Sequence, residues 1–139
     1  MICGESYSHN FVERDLQGYI MVYNGEIGIV EWGRQFINED FNKYMGLIST
    51  CKYAPNDKIV FAGQYKFYRS AIGFLSAKDG ELINIFEIEP ENTMISYLDE
   101  AIALDNQGNI MAVVNYDPNK AVVFKFNSNN GNVVWSTKI

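Results

Sequence analysis

Histidine occurs once in this chain, cysteine twice and proline three times, and no apolar run approaches the length of a membrane-crossing helix. Each scarcity excludes something. A single imidazole rules out a paired-histidine metal centre. His9, in the polar stretch "SYSHN", reads as a surface residue rather than a partner of Ser6, Ser8 or Asp15 in a triad. Cys3 and Cys51 are too few and too far apart for a disulfide framework, so both are expected as small buried strand residues that pack as hydrophobes. Together they would supply two zinc ligands at most.

Basic runs are missing too. Eleven Lys and Arg are scattered among seventeen Asp and Glu, for a net charge of −6. Nucleic-acid binding needs clustered cations to displace counterions from phosphates, so neither nucleic acid nor an anionic membrane is an expected partner. The opening "MICGESYSHN" lacks the basic-then-apolar order of a secretory leader, and no Asn begins a glycosylation acceptor. Both features lean toward an intracellular setting. The eleven Gly are dispersed among turns and form no phosphate-cradling loop.

What is present is aromatic and β-forming. Nine Tyr and nine Phe suit strands, where rings pack across a pleated surface. Strand-length apolar runs, such as "KIVFAGQY" (58–65), "AIGFLSA" (71–77) and "NIMAVVNY" (109–116), alternate with turn-forming stretches such as "AKDGE" and "NSNNGN". Short turns impose antiparallel neighbours, and the chain reads as a meander.

The segments also repeat. "YAPNDKIVFAGQY" (53–65) overlays "LDNQGNIMAVVNY" (104–116) at a shift of 51, and "YIMVYNGEIGIVEW" (19–32) overlays "VVFKFNSNNGNVVW" (122–135) at 103. In the second overlay Gly28 meets Gly131 and Trp32 meets Trp135. A middle copy, "AIGFLSAKDGELINIF", supplies Gly80; Asn84 stands where Trp is expected, and the nearest aromatic is Phe86. Repeats of about fifty residues built from four short strands characterise propeller blades. Strands apolar on both faces agree, because a sheet between two others is covered on each side. The expected fold is all-β: about three antiparallel blades, near 1–47, 48–99 and 100–139, the first lacking its opening strand. A β-sandwich is the alternative.

Two stretches fit no blade strand. "RQFINEDFNKYMGLI" (34–48) and "PENTMISYLDE" (90–100) read as blade-to-blade connectors lying across a sheet edge; the alternative for the first is a short helix from about Asn38 with Phe41, Tyr44 and Met45 on one face. Tyr65, Phe67, Tyr68 and Arg69, between two strands, are interface-type residues. With Phe41 and Tyr44 they make up the expected interaction residues. Three blades do not close a ring, so the open faces are expected to be covered by other chains, by copies of this one, or by the rest of a longer chain.

The phrases "NNGNVVW", "EIGIVEW" and "LSAKDGEL" resemble the repeat of PQQ-like (pyrroloquinoline-quinone type) β-propellers, whose blades carry a Gly turn and a Trp four residues on. The resemblance implies a blade fold and a structural Trp docked between sheets, here Trp32 and Trp135. It does not settle function, because enzymes and assembly scaffolds share the repeat. A quinone enzyme would need a cluster of Ca²⁺-binding oxygens. Asp57, Asp79, Asp105 and Asp117 instead lie in turns, where carboxylates accept from nearby backbone N–H groups. The sequence therefore points to a non-catalytic scaffold without catalytic, cofactor-binding or metal residues. Part of a propeller enzyme and a sugar-stacking, lectin-like module are the alternatives.

Overall fold

A computed structural model describes residues 1–7, 16–36, 45–65, 69–88, 94–95, 102–117 and 120–139. Among these described residues, twelve strands form three antiparallel sheets. The first sheet is β1 (Ile2–Tyr7), β2 (Leu16–Tyr23) and β3 (Val30–Gln35), in that order. The second is β4 (Met45–Ala54), β5 (Lys58–Tyr65), β6 (Arg69–Ser76) and β7 (Leu82–Ile88). In the third, β10 (Ile110–Asp117), β11 (Lys120–Phe126) and β12 (Val133–Lys138) follow one another. Both β8 (Met94–Ile95) and β9 (Ile102–Leu104) pair with the outer side of β10 and share the place that β4 holds in the second sheet.

Register makes the repeat explicit. Ile2 pairs with Met21, Phe61 with Gly73, and Ala112 with Phe124, at the corresponding point of each sheet. β1 therefore holds the second-strand position, and the first sheet has three strands where the second has four. A β-bulge recurs at one place as well: after Val22, after Phe74 and after Lys125. It sets Trp32, Asn84 and Trp135 in equivalent positions, opposite those three residues.

Alternation along the middle strands feeds two separate cores. Ile59, Phe61, Ala71 and Leu75 pack with Ile20, Val22 and Phe36 of the first sheet. Val60, Ala62, Ile72 and Phe74 pack with Ile110, Ala112 and Phe124 of the third. Successive strand side chains point to opposite faces, so a sheet sandwiched between two others must be apolar at every position. Each large side chain buried this way contributes about 1.5–3 kcal/mol. The sandwich alternative, with one wet face per sheet, does not describe the middle strands.

Three expectations are corrected. Met45 opens β4 rather than completing a helical face, because its register continues the strand opposite Tyr65. Met94 and Ile95, read as connector, pair with Asn115 and Val114, so the third sheet takes in residues ahead of 100. Cys3 and Cys51 are not free thiols; they form a disulfide, with Cα atoms 6.2 Å apart, joining the first sheet to the second. Their equivalents at the second junction, Ala62 and Ile102, lie in one buried apolar cluster. The bridge thus stands where the second junction has buried apolar side chains. No described helix is long and apolar enough to cross a membrane.

Candidate functional site

The three hairpins that lead into the last strand of each sheet are one turn written three times. Asn24, Ser76 and Asn127 open them, and each side-chain oxygen accepts from the N–H two residues on, that of Glu26, Lys78 and Asn129. The backbone carbonyls of the same residues accept from the N–H of Gly28, Gly80 and Gly131, at 2.8, 3.0 and 2.8 Å. These glycines have φ of 69°, 73° and 70°, the left-handed region that a Cβ makes costly.

Two of the glycines carry an aromatic side chain from the preceding sheet. Ring carbons of Trp32 come within 2.7 Å of where a Cβ on Gly80 would stand, and Trp32 Nε1 donates to the Ala77 carbonyl at 3.0 Å. Arg34, two residues along the same strand face, donates to the Gly80 carbonyl at 3.3 Å. At the next junction Phe86 fills the seat: a Cβ on Gly131 would overlap its ring. Phe86 is the register equivalent of Arg34 and not of Trp32. The middle sheet therefore docks its aromatic from two residues further on, still on the same face. Trp32 and Phe86 are thus each seated on the glycine turn of the following sheet, whereas Trp135, for which the resemblance implied the same seat, is 41% exposed.

Among the described residues, the two remaining members of the set have no counterpart. Nothing lies within 4 Å of a Cβ placed on Gly28, and Trp135 is 41% exposed. Beside Gly28, Ile27 and Ile29 are 65% and 61% exposed. Beside Trp135, Val133 and Val134 are more than half exposed.

Two of the four turn carboxylates, Asp79 and Asp105, have described contacts, and both accept from nearby backbone N–H groups. Asp79 accepts from the Glu81 N–H at 3.1 Å; the Ser76 hydroxyl and that N–H hold its carboxyl below the usual range. Asp105 accepts from the N–H groups of Gln107 and Asn109 and from Asn109 Nδ2, and pairs with Lys125 at 2.7 Å. Lys125, then Asn109, hold it well below the ordinary carboxylate range. These acids serve separate turns, and among the described residues no three His, Cys, Asp or Glu groups converge on a metal position. Phe41, Tyr44, Phe67, Tyr68 and His9 lie outside the described residues, as do the side chains of Tyr65 and Arg69; those two residues pair across β5 and β6. The interaction surface expected at these positions has no described geometry, and nothing observed favours a sugar-binding reading.

No protein-family model matches the chain, and no curated protein matches it. Among solved structures it is similar to one described as a europium-containing methanol dehydrogenase, at 14% identity and a TM-score of 0.59. The likeness covers 96% of this chain and 22% of that one, so the chain spans about a fifth of its length. That protein is a β-propeller, and the likeness bears on the fold alone. Three antiparallel blades of a partial propeller is the architecture that the register and the likeness share.

Proposed function

We propose that the chain is a non-catalytic scaffold that builds a larger assembly by docking its open blade faces onto further blades. One observation carries this reading: the middle sheet is covered on both faces, whereas the outer sheets each bury one, leaving Trp135, Val134, Ile27 and Ile29 in solvent. Exposed apolar residues gathered at a blade end mark a contact surface. The Cys3–Cys51 bridge adds an oxidising compartment to the proposal, since such bonds persist where thiols are not kept reduced.

Membership of a propeller enzyme is the second reading, favoured by the name of the similar structure. Thermal unfolding with and without pyrroloquinoline quinone plus Ca²⁺, alongside light scattering at micromolar concentration, separates the two. The scaffold reading expects a melting temperature indifferent to quinone and metal, and a mass above 15.9 kDa. A quinone-dependent rise in melting temperature together with a 15.9 kDa species overturns it.

A further inference from the structure

Gly28 and Trp135 are the two halves of a junction the chain already makes twice. Trp32 on Gly80 and Phe86 on Gly131 each place an aromatic from one sheet on the glycine turn of the next. Register assigns Gly28 to the same class as Gly80 and Gly131, and Trp135 to the same class as Trp32. One half stands on the first sheet and the other on the third; among the described residues nothing lies within 4 Å of a Cβ on Gly28, and Trp135 is left 41% exposed.

The sheet faces beside them match in the same sense. The middle sheet turns Phe61 and Leu75 toward the first sheet and Val60 and Phe74 toward the third. The equivalents left facing outward are Ile2 and Tyr23 on the first sheet, and Met111 and Lys125 on the third. One outer face is thus of the kind that receives a preceding blade, and the other of the kind that covers a following one.

The flanks of the empty seat differ from those of the filled ones. Gly80 lies between Asp79 and Glu81, and Gly131 between Asn130 and Asn132, whereas Gly28 lies between Ile27 and Ile29. Hairpin tips ordinarily carry polar residues. Two exposed isoleucines at this tip alone suit a seat that a tryptophan and its neighbouring valines would cover.

We infer that two copies of this chain associate head to tail, Trp135 of each docking on the Gly25–Ile29 turn of the other. This rests on the scaffold reading and names its partner as a second copy. Following the Trp32 junction, Trp135 Nε1 donates to the partner's Gly25 carbonyl, the register equivalent of Ala77. Val133 and Val134 lie over Ile27 and Ile29. Two chains of three sheets bring six, within the roughly four to eight blades of closed propellers.

The test uses sedimentation equilibrium on the 139-residue chain and on two variants, Trp135→Ala and Gly28→Asn. Asn tolerates the left-handed backbone while its side chain obstructs the seat. Circular dichroism and melting curves confirm that each variant is folded. The wild-type chain is expected at twice 15.9 kDa, and each variant alone at 15.9 kDa, with dissociation constants raised about thirtyfold or more. An equimolar mixture of the two variants is expected to recover the dimer mass, because one intact junction remains: Trp135 of the Gly28→Asn chain on the seat of the Trp135→Ala chain. A dimer indifferent to both variants, or variants that do not complement each other, overturns the head-to-tail pairing and leaves the scaffold reading standing. A wild-type chain that stays at 15.9 kDa overturns the pairing of copies and leaves the scaffold reading only with a partner other than a second copy.

Discussion

Trp32 sits on Gly80, with its indole N–H on the Ala77 carbonyl and its ring where any other residue's Cβ would be. The glycine is thus fixed twice, by a φ of 73° and by the ring above it. Gly28 has the same backbone, φ 69°, with nothing above it among the described residues.

Gly80→Ala and Gly28→Ala should therefore differ, although the turns are the same. Both incur the left-handed backbone cost of about 1–2 kcal/mol. Only Gly80→Ala also displaces a ring, for about 1–3 kcal/mol more. Urea unfolding of both in a Trp135→Ala background, where the Gly28 seat stays empty, measures the difference. Equal losses would mean that the Trp32 contact carries no energy.

The two tryptophans should be unequal in the same way. Trp32→Ala removes a half-buried ring and orphans the Ala77 carbonyl, and is expected to cost about 2–4 kcal/mol in urea unfolding. Trp135→Ala trims an exposed side chain and should change the stability of the single chain by about 0.5 kcal/mol or less.

The disulfide closes a loop across 48 residues of sequence and ties two sheets together. In the chain-entropy picture a loop of that length stabilises by about 4 kcal/mol, and measured values usually run about 2–4. Replacing both cysteines by Ala should lower the melting temperature by many degrees, and a reducing agent should do the same to the wild-type chain. Thiol titration of the denatured, unreduced protein should find no free thiol. Two titratable thiols would remove the bridge and, with it, the oxidising compartment.

Asp105 gives the acid limb of stability a specific contributor. Lys125, then Asn109, lower its pKa below the ordinary value of 3.8 in the folded chain. Its contribution is therefore present above that value and is lost as pH falls through the folded pKa. Wild type and Asp105→Asn should differ most at neutral pH and converge progressively below about pH 4. A constant gap from pH 7 to pH 2 would show that the carboxylate's charge is irrelevant. High salt should narrow the gap at neutral pH, because the pair with Lys125 is partly exposed.

Much of the architecture was legible because each blade repeats its turn chemistry. The shifts of 51 and 103 place Gly28, Gly80 and Gly131 in one class, and runs apolar at consecutive positions, "YIMVY", "KIVFA" and "AVVF", indicate sheets covered on both faces; the structure shows such cover for the strand of the second run, and one covered face for the other two. The middle blade was harder. Asn84 occupies the Trp position and Phe86 does the docking, and only the shared bulge shows that a residue two places on reaches the same neighbour. The disulfide was hidden for a different reason. Cys3 lies in a second-strand position and Cys51 in a first-strand position of the next blade, so their meeting depends on how sheets stack and not on spacing along the chain. The open seat was missed as well, although a signal was present: Ile27 and Ile29 stand where the other two hairpins carry polar residues.

The most direct measurement is the fluorescence of Trp135 alone, in a Trp32→Phe chain, followed from nanomolar to high micromolar concentration. The chain has two tryptophans, so this variant reports a single site. Docking of the exposed ring onto another blade predicts a blue shift of its emission with rising concentration, abolished by Gly28→Asn. Emission that stays water-exposed at the highest concentration would contradict the account.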